Sequence, residues 1–241
     1  SGIFIKGKEL GVHKAVRIVP QWDQKACSLC GKCPPYCRYN AVIRLGDYIM
    51  VLPELCHSCH ACSELCPEAA LPMQAMPLGT IRQYRADNLD FVESRLDIGL
   101  EQASPLIAQS LSYADQHFAT HQYQILDSPP GTSCAMISAT KTADYVILIT
   151  EPTPFGLYDL SLAVQTMRHL GIPFGVVINR WGIGNSDVLD YLEREDIKLL
   201  AKIPHSREIA SSYSKGSMLY HAFSEFDEAL QQIATHLEAR S

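Results

Sequence analysis

The chain has 241 residues, of which 47% are hydrophobic and 19% charged, with a formal net charge of −6. That length accommodates one sizeable domain plus a small one, and the composition is that of a globular protein, not a disordered or fibrous chain. The acidic balance argues against a general nucleic-acid surface, and no apolar run reaches the roughly eighteen residues that a membrane span requires.

Residues 1–24 open on Ser1-Gly2 with no initiator methionine, which reads as a tag scar or the edge of a truncation. Residues 42–45 and 48–52 read as short strands around Gly46-Asp47, a hairpin signal. Pro72, Pro77 and Gly79 give residues 72–84 the look of a linker. A second hairpin is expected over 80–84 and 90–93, turning at Ala86-Asp87-Asn88. Past residue 100 the texture changes. Residues 104–118 have helical periodicity, with Leu106, Ile107, Ser110, Leu111 and Ala114 on one face. Residues 123–126 read as a short apolar strand ending at Asp127, and 134–142 as a helix. The strands 145–150, 174–179 and 199–203 then alternate with helices over 158–170, 187–195 and 225–239. That alternation implies βαβ units and a parallel sheet.

Eight of the nine cysteines lie between residues 27 and 66, in two runs of the form C-x2-C-x2-C-x3-C. Each cysteine of the second run follows its mate by 29 residues. This is the ligand run of bacterial two-cluster ferredoxins, in which thiolates hold iron and the fourth cysteine of each run serves the other cluster. On that pattern Cys27, Cys30, Cys33 and Cys66 hold one [4Fe–4S] cluster, and Cys56, Cys59, Cys62 and Cys37 hold the second. Structural zinc is the competing reading, but its two cysteine pairs are usually separated by a longer loop. Disulfides would suit a small secreted chain, and nothing reads as a secretory signal; a reducing cytoplasm is expected. His57 and His60 are expected to be spectators, since the cysteines complete both ligand shells. Pro67 follows the second run, whereas Arg38 takes the corresponding place after the first. That proline only shapes the chain beyond the last ligand, so both clusters are expected to survive its loss.

The second constellation begins at Asp127, followed by Ser128-Pro129-Pro130-Gly131. A strand-end acid before a glycine-bearing turn is where P-loop NTPases place a magnesium-linked aspartate, although the same residue can simply cap the next helix. Further stretches join it: residues 150–160 after the next strand, Val177-Ile178-Asn179-Arg180, and Ile203-Pro204.

Together with the cysteine module, residues 25–241 closely resemble the iron–sulfur-bearing subfamily of MinD/ParA-type P-loop ATPases. The resemblance implies an α/β fold with a doubly wound parallel sheet and an inserted small α+β ferredoxin-like domain. It places the insert at 25–75 and the nucleotide-binding domain at 76–241, with 1–24 as the start of that domain or a lead-in. It implies ATP with Mg²⁺ as ligand and a nucleotide-linked dimer, either with itself or with a related ATPase. Asp127 matches the switch aspartate, Asn179 and Arg180 the adenine-contacting pair, and Pro204 the loop that closes over the base. The phosphate loop G-x4-G-K-[ST] occurs nowhere in the 241 residues. The resemblance implies that it belongs to a segment preceding residue 1, the alternative being that the nucleotide chemistry has been lost; either way the 241 residues alone are not expected to hydrolyse ATP.

Three functions compete. The first is ATP-coupled, low-potential electron transfer through two clusters to a redox partner protein. The second is a ferredoxin-type carrier without ATPase activity, and the third is an ATPase that assembles or delivers clusters to an acceptor. A positioning role is disfavoured by the acidic balance and by the lack of an amphipathic membrane tail. Cys134, outside both runs, is either a small buried thiol or a group that approaches a dimer mate in response to nucleotide.

Overall fold

The computed structural model describes residue 5 and residues 7–240, so the Ser1-Gly2 start lies outside the described residues. The chain divides into two units, one comprising Gly7–Gln122 and the other the chain from Tyr123 onward.

In the first unit, β1 (Lys8–Pro20), β4 (Met73–Ala86) and β5 (Leu89–Leu96) form an antiparallel sheet in the order β1-β4-β5. Sequence reading left 1–24 without a strand, because polar residues break up its apolar pattern. β1 is an edge strand whose first half is exposed, and its buried face carries only Ala15, Arg17 and Val19. The expected linker over 72–84 is instead mostly the central strand. Pro77 is tolerated there because it pairs with Val16 where the β1–β4 register slips, and a bulge removes the need for the ladder N–H that proline lacks. Gly79 lets β5 approach closely: a Cβ there would meet the Arg95 carbonyl oxygen at 2.2 Å.

Helix α3 (Ser104–Phe118) has the bounds the periodicity predicts, and its Leu106 packs with Ala15, Leu78 and Ile81. It also completes the edge of β1. Gln109 Nε2 donates to the Val16 carbonyl at 2.8 Å, and Val16 N–H donates to Gln109 Oε1 at 3.2 Å. The side-chain amide thus pairs with β1 as another strand would, at the register slip.

Between β1 and β4 lie two short helices, α1 (Cys33–Tyr36) and α2 (Ala61–Glu64), and the expected hairpin, β2 (Val42–Leu45) with β3 (Tyr48–Val51). Val42, Ile49, Cys62 and Leu71 form a small core there.

The second unit is built on a parallel sheet of β6 (Val146–Thr150), β7 (Phe174–Trp181) and β8 (Leu199–Pro204), in the order β6-β7-β8. Alternation along β7 sends Val176 and Ile178 to one face and Val177 to the other. The first pair packs under α5 (Pro154–Leu170) and α6 (Asp187–Arg194). Val177 packs with Leu200, Ala201 and Ala229, the last from α8 (Ser224–Glu238). Helices therefore cover both faces, as a parallel sheet requires. Helix α4 (Cys134–Thr140) adds Met136 to a core with Val146 and Met167. Helix α5 starts with Thr153 accepting the Gly156 N–H and Pro154 in the first turn, and it ends at Gly171 with φ +69°. A further helix, α7 (Arg207–Ser214), went unread in the sequence; Ser206 caps it by accepting from Glu208 and Ile209.

The strand expected over 123–126 is absent. These residues pair with no strand among the described residues, and Ile125 is 93% exposed. An apolar run makes a strand only when a neighbour satisfies its backbone groups. No helix among the described residues is long and apolar enough to cross a membrane.

Candidate functional site

The two cysteine runs fold around two cavities. The first is lined by Cys27, Cys30, Cys33 and Cys66, together with Trp22 and Lys32. The second is lined by Cys37, Cys56, Cys59 and Cys62, together with Tyr39 and His57. Each cavity takes three cysteines from one run and the fourth from the other. Cys56 and Cys62 are buried, whereas Cys30 and Cys59 are exposed at the surface.

The 29-residue repeat in the sequence is also a repeat in the backbone. Leu29 and Ser58 share a left-handed conformation (φ 54° and 55°), as do Gly31 and His60 (70° and 64°) and Asn40 and Ala69 (52° and 50°). These reversals wrap each run around its cavity. The Ala41 N–H donates to Cys37 Sγ at 3.2 Å, and the Ala70 N–H to Cys66 Sγ at 3.2 Å; Ser58 N–H donates to Cys56 Sγ at 3.4 Å. Arg44 on β2 pins the first loop by donating to the Leu29 and Gly46 carbonyls, both at 2.8 Å. In the second run, His57 stacks on Tyr39 with ring centroids 3.6 Å apart.

Burial pushes the Cys62 thiol up to about 11, and its neighbours Cys56, Cys37 and Cys59 push the same way. Cys33 is raised first by burial, then by Cys27, Cys66 and Cys30, against a backbone hydrogen bond that favours the thiolate. Cys56 is raised by burial and by Cys37 and Cys59; the Ser58 N–H and the Arg17 guanidinium oppose the shift. Thiols packed this way resist ionising in the bare protein, and a metal centre that bound them would displace their protons.

Two observations bear on what such a centre would be. No group of three or more His, Cys, Asp or Glu side chains among the described residues is placed to hold a metal ion. Four cysteine sulfurs nonetheless line each cavity, the donor set that a four-iron cluster takes. Among the described residues, the buried side-chain polar atoms without a hydrogen-bond partner are Arg17 Nε, Trp22 Nε1 and Ser58 Oγ. All belong to this region: Trp22 lines the first cavity, Ser58 sits in the second run, and Arg17 neighbours Cys56. Orphaned polar groups of this kind call for a partner. The residues fit a four-iron cluster in each cavity.

The second unit brings its loops to the carboxyl edge of the parallel sheet, where ligands bind in open α/β folds. Asn179 and Arg180 occupy an irregularity in β7, where the pairing with β8 slips between Ile178 and Trp181. Arg180 has φ 54°, a conformation uncommon for a non-glycine residue, and its N–H donates to Asn179 Oδ1 at 2.9 Å. Its guanidinium donates to Glu151 Oε2 at 3.1 Å, joining the loop after β6 to the end of β7. Gly184 seals that junction, since a Cβ there would overlap the Pro152 carbonyl oxygen. Pro204 pairs with Trp181, and Lys202 Nζ lies 4.2 Å from the Trp181 ring centroid. Asn179, Arg180 and Pro204 thus gather at one edge. Asp127 is exposed, on a stretch without regular structure that precedes α4, and Cys134 at the start of α4 is exposed instead of buried.

Sequence reading missed Glu151, Arg44, Trp22 and Arg17. The signal for Arg17 was present, as a charged residue at the middle of the Ala15-x-Arg17-x-Val19 alternation.

The fold is that of the MinD/ParA class of P-loop ATPases. The chain matches the cell division ATPase MinD of Pyrococcus furiosus with a TM-score of 0.53 and 20% identity, over 67% of this chain and 70% of that one. With MinD of Aquifex aeolicus the TM-score is 0.48 at 16% identity, over 57% of this chain, which spans 61% of that chain's length. At 20% identity the likeness to the Pyrococcus furiosus protein is one of fold. By sequence, the chain is 26% identical over 200 residues to the uncharacterized protein MJ0579 of Methanocaldococcus jannaschii, covering 82% of this chain and 68% of that protein. The uncharacterized protein MJ0578 of the same organism is 24% identical over 212 residues, covering 88% and 72%. No family model matches.

Proposed function

We propose that this is an iron–sulfur protein of the MinD/ParA ATPase class, which couples ATP binding and hydrolysis to low-potential electron transfer through two [4Fe–4S] clusters. The observation that carries the reading is the pair of four-cysteine cavities, each fed by both runs. Cys27, Cys30, Cys33 and Cys66 hold one cluster, and Cys37, Cys56, Cys59 and Cys62 the other. Each cluster, when bound, supplies a one-electron site whose potential the protein sets through charge, burial and hydrogen bonds to sulfur. The chain's part is to fix the sulfurs, to donate the backbone N–H groups of Ala41, Ser58 and Ala70 to them, and to exclude water from one side.

At the sheet edge, Asn179, Arg180 and Pro204 receive the adenine and Asp127 acts through Mg²⁺, once a phosphate-binding loop is supplied. Nucleotide then favours a dimer, with itself or with a related ATPase, and a changed switch loop alters how the clusters meet a redox partner. Anaerobic reconstitution tests the reading. It predicts about eight iron and eight sulfide per chain and two interacting EPR signals after reduction; two zinc ions without sulfide would refute it.

One observation favours a second reading, cluster delivery to an acceptor. Cys30 and Cys59 are exposed, one in each cavity wall, and so stand open to an incoming thiol. Transfer of the clusters to an apo-ferredoxin on ATP addition would select this reading over electron transfer.

A further inference from the structure

We infer that Arg17 sets the cavity of Cys37, Cys56, Cys59 and Cys62 apart from the other, making its cluster the first of the two to accept an electron. The inference rests on the iron–sulfur reading and assigns an order to the two sites.

Arg17 is 4% exposed, and it is the one Lys or Arg residue that is buried among the described residues. Its Nε has no hydrogen-bond partner, and none of the ion pairs among the described residues includes it. It lies on the buried face of β1 with Ala15 and Val19, and Val19 packs with Ala41 and Cys56. Its partner across the sheet, Met76, packs against that same group. A guanidinium removed from water without a carboxylate needs another anion. A cluster ligated by four thiolates is such an anion, and it gains one more negative charge on reduction.

The 29-residue repeat makes the two cavities alike in backbone; the second takes one more N–H to sulfur, Ser58 to Cys56 at 3.4 Å, and differs further in the charges around it. At the first cavity those are Lys32 and Glu68 in the lining and Arg44 on the adjoining β2, all exposed and screened by solvent and salt. His57 and His60 in the lining of the second are exposed as well. Arg17 alone acts through a low-dielectric interior, where a charge counts for most. A fixed cation there favours the more negative state of the neighbouring cluster and raises its potential. The step is the entry of one electron from an external low-potential reductant. Iron is reduced, and no bond is made or broken.

The test is an anaerobic redox titration of the reconstituted chain, followed by EPR, with iron and sulfide counted first. Cys59→Ser marks the second cluster and Cys30→Ser the first. Arg17→Met should shift only the Cys59-marked step, and should lower its reduced-to-oxidised ratio at fixed potential at least tenfold, about 59 mV for a one-electron couple. Arg17→Lys should restore most of the shift. If Arg17→Met fails to hold the second cluster while Arg17→Lys holds it, the charge is again assigned to that site. An unshifted titration, an equal shift in both steps, or a shift confined to the Cys30-marked step would overturn the inference and leave the two-cluster reading standing. Absence of iron and sulfide from the unaltered chain would overturn both.

Discussion

Ala41 and Ala70 stand 29 residues apart and do the same thing: each is 1% exposed, and each donates its backbone N–H to a cysteine sulfur at 3.2 Å. Each lines the cavity that holds the cysteine it bonds, Ala41 the second and Ala70 the first. Enlarging either should overpack its own cavity and spare the other. Ala41→Leu is expected to cost about 1–3 kcal/mol and to remove the iron held with Cys37; Ala70→Leu should do the same to the iron held with Cys66. Iron counts and denaturant unfolding check both, and EPR tells which signal is lost.

The crossed grouping of the cysteines makes a prediction that sequence order alone would reverse. Cys37→Ala should damage the cluster held by Cys56, Cys59 and Cys62, and Cys66→Ala the one held by Cys27, Cys30 and Cys33. Each should lose about half the iron. Damage confined to the mutated run would show that the runs act separately.

The metal-free chain should weaken in alkali. The Cys62 thiol has an ordinary value of 9.0, and burial pushes it up to about 11 in the fold. Between those values the unfolded chain gives up a proton that the folded chain keeps, so rising pH favours unfolding. The contribution is intact below pH 9 and gone above about 11. Thermal melts of the metal-free protein across that window should show a falling midpoint, and melts of the iron-loaded protein should not.

At the sheet edge, the Arg180–Glu151 pair is about half exposed on one side and two-fifths on the other. Breaking it with Glu151→Ala should change stability by no more than about 1 kcal/mol. Arg180→Ala should instead weaken nucleotide binding by a form of the protein that carries a phosphate loop. In that form Asp127→Ala should reduce hydrolysis far more than binding. Isothermal titration and phosphate release separate the two, and equal losses for Asp127→Ala would make it a helix cap.

Cys134 is exposed and lies outside both cavities. It should be alkylated in the iron-loaded protein while the other eight cysteines resist. Cys134→Ser should leave the iron content unchanged. Protection of Cys134 by ATP would place it near a dimer contact; equal labelling with and without nucleotide would not.

Local signals carried much of the fold into view. Helix α3 matches its periodicity end to end, and the β2–β3 hairpin follows from Gly46-Asp47. The strands β6, β7 and β8 read as buried because they are apolar throughout. What escaped depended on distant partners. Strand β1 is half exposed, and its pattern makes sense only once β4 lies beside it. The second half of β4 pairs with β5 in the hairpin expected over 80–84 and 90–93, but its first half hid behind Pro77 and Gly79, residues whose place in a strand is explained by a bulge and by the close approach of β5. Residues 123–126 erred the other way, being apolar with no neighbour to pair with among the described residues. At the sites, spacing revealed the ligands, while Arg17 and Glu151 act through neighbours far off in the chain.

The amide of Gln109 has a consequence for how the protein behaves in crowded solution. β1 borders its sheet and shows Leu10, Val12 and Val16 to the outside, so it has the character of a strand that recruits strands from other molecules. Gln109 occupies both backbone groups of Val16, at the point where the register already slips. An approaching chain therefore meets an interrupted ladder halfway along that border. Gln109→Ala would lift the interruption, and the cost would appear less in the melting point than in clumping at high concentration.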